Sequence, residues 1–232
     1  MPGLFITGTD TNVGKTLVTA GIAAYLRECG IDAAVMKPVE SGCRRGVSSG
    51  DSAYLKKISR SSEPLNRINT YAFQAPLAPS VAAELEGVKI SFKRIHTAFR
   101  HLERRHSFVL VEGAGGVAVP LGPRQSVADL IASLKIPTLL VARMALGTLN
   151  HSFLTLEYLR QRRIPVVGVV FNCTERRLDA SAKYNLQTFQ ERSPVPVWGV
   201  VKHVGKIHHR EEILEKIQSG IGPALEAYFE VK

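Results

Sequence analysis

Long hydrophobic runs and cysteines are both scarce in this 232-residue chain, and each shortage excludes a class of protein. No stretch approaches the roughly 20 consecutive apolar residues that a membrane-spanning helix needs, so the sequence predicts no membrane partner. The cysteines Cys29, Cys43 and Cys173 are odd in number and widely spaced, without the pairing of a metal or redox motif. Because no charged and then apolar signal region precedes the first apolar run, we expect a protein of the reducing cytoplasm.

Acidic residues are few relative to basic ones, 20 against 30, which gives a formal net charge of +10. Such a balance raises the question of a nucleic-acid partner. The basic residues, however, come as scattered pairs such as Lys56-Lys57, Arg104-Arg105 and Arg176-Arg177, without a basic arm or an aromatic-interleaved stripe. We therefore expect solvated surface and no nucleic-acid binding, with a general attraction for anionic substrates.

Short apolar, β-branched runs alternate with longer amphipathic stretches along the whole chain. The predicted strands are 4–7, 33–36, 108–111, 138–141, 166–171 and 197–200. The predicted helices are 15–28, 51–58, 79–86, 91–104, 127–134, 149–161, 180–190 and 210–229, the last interrupted near 220–223. Several strands are continuously apolar, which is typical of parallel strands covered on both faces. The pattern predicts one α/β domain over residues 1–232, a doubly wound, mostly parallel sheet with helices on both faces.

The most informative motif is Gly8-Thr-Asp-Thr-Asn-Val-Gly-Lys-Thr16, which follows the first predicted strand and opens the first predicted helix. That context is typical of a phosphate-binding loop of P-loop NTPases, although this loop is one residue longer than the standard pattern. Backbone N–H groups can hold phosphate oxygens there, while Lys15 reaches the β- and γ-phosphates and the Thr16 hydroxyl binds Mg²⁺. The motif predicts a nucleoside triphosphate site.

Further polar residues follow other predicted strands, and in a parallel sheet ligands bind beyond the carboxyl ends of the strands. Lys37 ends the second strand and would supply a second ammonium group, with Ser41 as a hydroxyl donor beyond it. Glu112 ends another strand in the run Val-Glu-Gly-Ala-Gly-Gly, where a carboxylate can lie near Mg²⁺. Asp51 opens the next predicted helix and is interpreted either as an N-cap or as a second acidic partner of Mg²⁺.

Two remaining features of the sequence are interpreted without naming a catalytic residue. The segment from 40 to 80 is predicted to be irregular apart from one short helix, and its length indicates a functional loop. The histidines His203, His208 and His209 do not share one helical face, so we interpret them as surface residues rather than metal ligands.

Taken in order, four motifs resemble one family: the phosphate loop with its extra residue, Lys37-Pro-Val-Glu-Ser-Gly42, Val111-Glu-Gly-Ala-Gly-Gly116 and Leu146-Gly-Thr-Leu-Asn-His151. That family is the dethiobiotin synthetases. The resemblance runs from Phe5 to about Asn172 and is weaker beyond, where Val200-Val-Lys202 departs from the family's Ile-Pro strand end near the adenine.

The resemblance implies an ATP- and Mg²⁺-dependent ligase of biotin biosynthesis. The family adds CO₂ to 7,8-diaminopelargonic acid and closes a ureido ring, releasing ADP and phosphate. A carbamate forms on one amine, its oxygen attacks the γ-phosphate to give a carbamic–phosphoric anhydride, and the second amine expels phosphate. The family also implies a homodimer whose diamine site is completed across the interface.

The same resemblance implies a role for each matching residue. Catalytic roles fall to Lys15, Lys37, Thr11 and Ser41. Nucleotide contacts fall to Gly8, Asn12, Val13, Gly14, Lys15, Thr16, Leu17 and, for the adenine, Asn172. Diamine contacts fall to Ser41, Pro79, Gly115, Gly147, Thr148, Leu149 and Asn150. The Mg²⁺ ligands would be Thr16, Asp51 and Glu112.

Two other classes of protein are weighed against this assignment. ATP-driven switches of the partitioning and septum-positioning type share the predicted fold and bind DNA or membrane, but they place a signature lysine where this loop has Asp10. A phosphate-loop amidotransferase or small-molecule kinase would leave unexplained the combination of Lys37, Ser41 and the Gly-Thr-Leu-Asn run.

Overall fold

A seven-stranded sheet forms the centre of the molecule in a computed structural model that describes residues 3–44, 49–205 and 209–231. Its strands are β1 (Gly3–Gly8), β2 (Ala33–Ser41), β3 (Asn69–Phe73), β4 (Phe108–Gly116), β7 (Thr138–Arg143), β8 (Val166–Asn172) and β9 (Val197–Val201). They lie in the order β3-β2-β4-β1-β7-β8-β9, and each neighbouring pair is parallel. A separate antiparallel ribbon joins β5 (Pro120–Gly122) to β6 (Gln125–Ser126).

Helices cover both faces of this sheet. They are α1 (Lys15–Glu28), α2 (Asp51–Ser59), α3 (Leu65–Ile68), α4 (Pro79–Leu85), α5 (Phe92–Glu103), α6 (Val127–Leu134), α7 (Thr148–Gln161), α8 (Ser181–Arg192) and α9 (Arg210–Phe229). The predicted fold class is therefore confirmed. In the part of the chain that the structure describes, no helix is both long enough and apolar enough to span a bilayer.

Consecutive residues of the central strands pack into different cores, which explains why those strands are continuously apolar. On β1, Leu4 and Ile6 join the core under α1 and α9, whereas Phe5 joins the core under α5 and α6. On β7, Leu139 packs with the α1 side and Leu140 with a third cluster toward α8. Both faces of each strand are buried, so no polar alternation is possible.

The structure corrects three expectations about elements. The segment from 40 to 80 is more regular than predicted, because it contains α3 and the edge strand β3 besides α2. The ribbon of β5 and β6 also has no counterpart among the predicted strands. The predicted interruption of the last helix is wrong: α9 continues through Pro223. Gly220 lets α9 approach β9 closely, since a Cβ there would lie 2.5 Å from the Val200 carbonyl oxygen.

Candidate active site

A cavity of about 940 Å³ opens at the carboxyl ends of β1, β2, β4 and β8. Parallel strands with helical crossovers bring these ends to one edge, as the sequence predicts. The lining includes Thr11, Asn12, Gly14, Lys15, Thr16, Leu17, Lys37, Ser41, Asp51, Glu112, Gly115 and Asn172. Most of the predicted nucleotide, metal and catalytic residues are thus gathered in one place.

The phosphate-loop segment passes from β1 into α1 through Gly14, whose φ of 95° lies in the left-handed region. Asn172, at the end of β8, donates from Nδ2 to the Val13 carbonyl oxygen at 3.0 Å. A Cβ on Gly14 would lie only 2.0 Å from that Nδ2 atom, so glycine is required here. Asn172 therefore holds the loop in the structure, in addition to the adenine contact predicted for it.

Lys15 is the first residue of α1 and is only 6% exposed. Its Nζ donates to the Asp10 carbonyl oxygen at 2.8 Å, which keeps the ammonium group over the loop. The backbone N–H groups of the first turn of a helix have no partner within the helix, so α1 directs donors into the same space. The loop thereby offers both a positive charge and backbone donors to an anion.

Lys37 lies between two carboxylates. Its Nζ is 2.6 Å from Glu112 Oε1 and 2.6 Å from Asp51 Oδ2. The sheet register causes this, because Met36 of β2 pairs with Val111 of β4 and the next residues are therefore neighbours. The Thr16 hydroxyl donates to the same Glu112 oxygen at 2.8 Å, which ties α1 to the pair.

Burial and charge shift the acid–base properties of these groups. Burial, followed by repulsion from Lys37, lowers the pKa of Lys15 to about 8. Burial would also lower the pKa of Lys37, but the Glu112 and Asp51 carboxylates outweigh that effect and raise it. Burial raises the pKa of Glu112 despite its ion pair. Burial alone would also raise the pKa of Asp51, but attraction to Lys37 and hydrogen bonds from Lys37 and Thr16 together lower it. Lys37 is thus the firmly charged ammonium group, whereas Lys15 titrates near pH 8.

One oxygen of Glu112 has no partner. The Glu112 side chain is completely buried, and its Oε2 atom makes no hydrogen bond to any residue that the structure describes. A buried carboxylate oxygen without a partner is costly and calls for an explanation. Two carboxylates and the Thr16 hydroxyl form the all-oxygen donor set that Mg²⁺ prefers, so these residues fit the predicted metal.

Asp51 reaches Lys37 because the start of α2 is fixed by Glu40, a residue that the sequence analysis did not single out. Glu40 accepts from the Ser52 hydroxyl at 2.6 Å and from the Ser52 backbone N–H at 3.0 Å. The N-cap of α2 is Gly50, so the interpretation of Asp51 as an N-cap is wrong. In the sequence, Glu40 is visible only as an acidic residue within the Lys37–Gly42 motif, which does not indicate its partner.

Several predicted residues lie away from the cavity of this single chain. Pro79 is buried at the start of α4. Gly147 precedes α7, and the first turn of that helix contains Thr148, Leu149 and Asn150. Gly8 and Val13 belong to the loop but do not line the cavity. Conversely, His203 lines it although it was interpreted as a surface residue; His209 precedes α9, and His208 lies outside the described residues.

Sequence comparisons point to one kind of enzyme. A family model described as an AAA domain matches residues 2–210. The ATP-dependent dethiobiotin synthetase BioD of Bacillus subtilis subsp. natto is 37% identical over 225 residues, which is 97% of this chain and 97% of that protein. The protein of the same name from Anaeromyxobacter dehalogenans strain 2CP-C is 48% identical over 185 residues, or 80% of this chain and 82% of its own.

Structure comparisons match proteins of much lower sequence identity. The MinC:MinD cell division protein complex of Aquifex aeolicus matches with a TM-score of 0.62 at 12% identity, covering 100% of this chain and 97% of that chain. A ParA family ATPase from Chlorobium tepidum matches with a TM-score of 0.56 at 10% identity, covering 98% and 92%. Likeness at such low identity concerns the fold alone, whereas the sequence relatives agree over nearly the whole chain. The chain belongs to the family of ATP-dependent dethiobiotin synthetases.

Proposed function

We propose that this chain forms dethiobiotin from 7,8-diaminopelargonic acid, CO₂ and ATP, releasing ADP and phosphate. The observation that carries the proposal is the Lys37 ammonium group, held 2.6 Å from both Glu112 and Asp51 inside the phosphate-loop cavity. A second cation beside the loop lysine suits a reaction in which an anionic carbamate meets an anionic phosphoryl group. In the switch ATPases the second lysine would lie inside the loop, where this chain has Asp10, and not on a neighbouring strand.

The triphosphate would lie along the loop from Gly8 to Leu17, with its terminal phosphate near Lys15. Lys15 and the first-turn N–H groups of α1 favour negative charge at this position. Asn12, Val13 and Gly14 supply backbone at close range, and Gly14 keeps that backbone in the left-handed conformation. Asn172, at the far side of the loop, is the proposed contact for the adenine.

We assign Mg²⁺ to Thr16, Asp51 and Glu112, because they provide an all-oxygen ligand set that includes the unpartnered Glu112 Oε2 atom. When bound, the ion would neutralise charge on the phosphate oxygens. Lys37 now neutralises the same two carboxylates. Its proximity to both carboxylates places a positive charge in the site before any ligand enters, and that charge favours the ionised form of each acid.

In the proposed reaction, one amine of the diamine adds to CO₂ and loses a proton, giving a carbamate. A carbamate oxygen then attacks the γ-phosphorus, and the bond to the ADP oxygen breaks. The second amine attacks the carbamoyl carbon and gives up a proton, the bond from that carbon to the phosphate oxygen breaks, phosphate leaves, and the ring closes. Lys15 and Lys37 stabilise the charge on the reacting oxygens, and the Thr11 and Ser41 hydroxyl groups orient them.

The diamine site is proposed to be completed by a second copy of the chain. Ser41 and Gly115 line the cavity, but the segment Gly147–Asn150 lies outside it. Next to that segment, Leu146 and Leu154 are 76% and 63% exposed. Exposed leucines next to predicted substrate residues support a homodimer in which one subunit's segment, together with Pro79, shapes the partner's site.

We also propose that residues 1–232 act as one domain, since the central sheet includes strands from both halves of the chain. The cytoplasm is the proposed compartment. The three cysteines are free, which suits a reducing environment.

The experiment that tests the proposed function is an ATPase assay with product identification. ATP hydrolysis is expected only when diaminopelargonate and bicarbonate are both present, with one dethiobiotin formed for each ADP. Lys15→Ala and Lys37→Ala are expected to lose most turnover, while Lys183→Ala on the exposed face of α8 keeps it. Stimulation by DNA or lipid instead would indicate a switch, and a phosphorylated product would indicate a kinase.

A further inference from the structure

A second cavity, of about 540 Å³, lies at the edge of the sheet and shares no lining residue with the first. It is formed by α3, the amino end of β3 and the part of α5 from its N-cap Ser91 to His101, whereas the active-site cavity lies at the carboxyl ends of the strands. Cavities of a few hundred Å³ are of the size that accommodates small-molecule ligands. Nothing in the proposed reaction uses this one.

Three cations line this second cavity. They are Arg67, Lys93 and Arg94, and none of the lining residues is acidic. Within the described ranges, Lys93 and Arg94 make no ion pair. The one ion pair of Arg67 within those ranges, to Glu63, is long at 3.9 Å, and Glu63 also contacts Arg105 and His106. The charge inside the cavity is therefore largely uncompensated.

Two of these cations also contact ring groups. The Arg94 guanidinium lies 5.0 Å above the centre of the Tyr71 ring, a cation–π geometry that fixes its plane. Arg67 contacts His101 across the cavity. Apart from the long contact of Arg67 with Glu63, no acid balances Arg67, Lys93 and Arg94, so this group of cations suits an anionic ligand.

An unpartnered hydroxyl group gives independent support. Thr70 lines the cavity from β3, is only 5% exposed, and its Oγ1 atom has no hydrogen-bond partner among the residues described. A buried hydroxyl normally finds a partner, and one that lacks it calls for a ligand or an ordered molecule beside it. The N-cap of α5, Ser91, also lines the cavity and makes no side-chain cap, so the start of this 12-residue helix directs free N–H donors toward it.

We propose that this edge cavity binds a small phosphate-bearing molecule at a site separate from catalysis. A phosphoryl group offers several acceptor oxygens and close to two negative charges. Arginine forks bind such oxygens in pairs, and the Thr70 hydroxyl and the α5 N–H groups bind further ones. A single carboxylate would leave most of these donors unused.

The test measures pyrophosphate binding by calorimetry, with every variant made in a Lys15→Ala background so that the phosphate loop contributes little. We expect saturable binding that becomes at least tenfold weaker in Lys93→Ala/Arg94→Ala and several-fold weaker in Thr70→Val. Arg162→Ala is the matched control, because Arg162 also lies over a tyrosine ring, at 3.7 Å, but outside the cavity. It should leave the affinity unchanged.

Thermal unfolding without ligand separates a lost contact from a lost fold. Thr70→Val keeps the side-chain volume and removes an unpartnered hydroxyl, so its midpoint should equal or exceed that of the parent. The proposal is overturned by absence of saturable binding, by equal weakening in Arg162→Ala, or by equally tight binding of malonate at the same ionic strength. The last result would mean that charge alone, and not a phosphoryl group, is recognised.

Discussion

At the scale of single residues, Lys37 is the most consequential side chain of the site. It is 2% exposed and neutralises two carboxylates that no other cation contacts at ion-pair distance within the described chain. Removing one partner of a buried ion pair costs about 3–5 kcal/mol, because the remaining charge stays buried without compensation. The role of Lys37 in stability and its role in catalysis can therefore be separated experimentally.

We predict that Lys37→Met lowers the free energy of unfolding by about 3 kcal/mol or somewhat less, since Glu112 can take up a proton. Millimolar Mg²⁺ should recover much of that loss, because the ion replaces the missing positive charge beside Glu112 and Asp51. Chemical denaturation with and without Mg²⁺ measures this, with Lys183→Met as the exposed control. An equal effect of Mg²⁺ on both variants would argue against a metal at these carboxylates.

Lys15 gives a second prediction at this scale. Its pKa is lowered to about 8, first by burial and then by Lys37, so the ammonium group is charged below that pH and neutral above it. A bound triphosphate favours the charged form, so ATP binding near pH 8 should take up a proton and ATP affinity should fall as the pH rises above 8. Calorimetry in buffers of different ionisation enthalpy measures the proton directly. Affinity that stays constant to pH 9.5, or proton release, would contradict the assignment.

At the scale of elements, the first residues of α2 bring Asp51 to Lys37, and Glu40 of β2 holds those residues in place. Glu40 binds both the hydroxyl group and the backbone N–H of Ser52, next to Asp51. A carboxylate at a helix N-terminus also interacts favourably with the helix dipole. The strand and the helix are thus joined at the point where Asp51 meets Lys37.

We predict that Glu40→Ala destabilises the fold by about 1–3 kcal/mol and raises the Mg²⁺ concentration needed for half-maximal turnover by about tenfold. Glu40→Gln keeps one acceptor oxygen, so it should recover part of the stability and part of the apparent Mg²⁺ affinity that Glu40→Ala loses. The control is Glu86→Ala, since Glu86 also accepts from a backbone N–H, that of Gln74, but at an exposed position. If Glu40→Ala lost stability while its Mg²⁺ dependence stayed normal, Glu40 would be structural only.

Elements dictated by local patterns could be predicted, and those dictated by distant packing could not. The phosphate loop, β4 and α1 follow from short-range signals, namely glycines, β-branched runs and helical periodicity. The edge strand β3 has a mixed, partly polar sequence that becomes a strand only by pairing with β2. Pro223 favours a helix end locally, yet packing of α9 against β9 and α1 keeps the helix continuous.

The same distinction applies within the site. Lys15, Lys37 and Glu112 could be predicted because each lies at the end of a strand or at a motif. The contact of Glu40 with Ser52 joins two segments across a loop, and no local pattern predicts which residues of those segments meet. The edge cavity was also invisible, since its cations come from α3 and α5 and become neighbours only in the folded chain.

At the scale of the whole molecule, this chain shares its fold with proteins of different activity. We expect its proposed homodimer, with a diamine site at the interface, to distinguish it from them. Leu154 is 63% exposed on α7, beside the proposed diamine segment. We predict that Leu154→Asp gives monomers in sedimentation experiments and raises the KM for the diamine about tenfold or more, with ATP affinity unchanged. The control is Tyr184→Asp on α8, where the tyrosine is 65% exposed. Fully active Leu154→Asp monomers would contradict the shared site.

In the proposed reaction, a carbamate oxygen attacks the γ-phosphate beside Lys15 and Lys37. This step can be followed by turnover with ¹⁸O-labelled CO₂, run faster than the label exchanges with water, and mass spectrometry of the released phosphate. We expect phosphate that carries one ¹⁸O atom from CO₂ for each dethiobiotin formed. Unlabelled phosphate released together with ADP and dethiobiotin would contradict it.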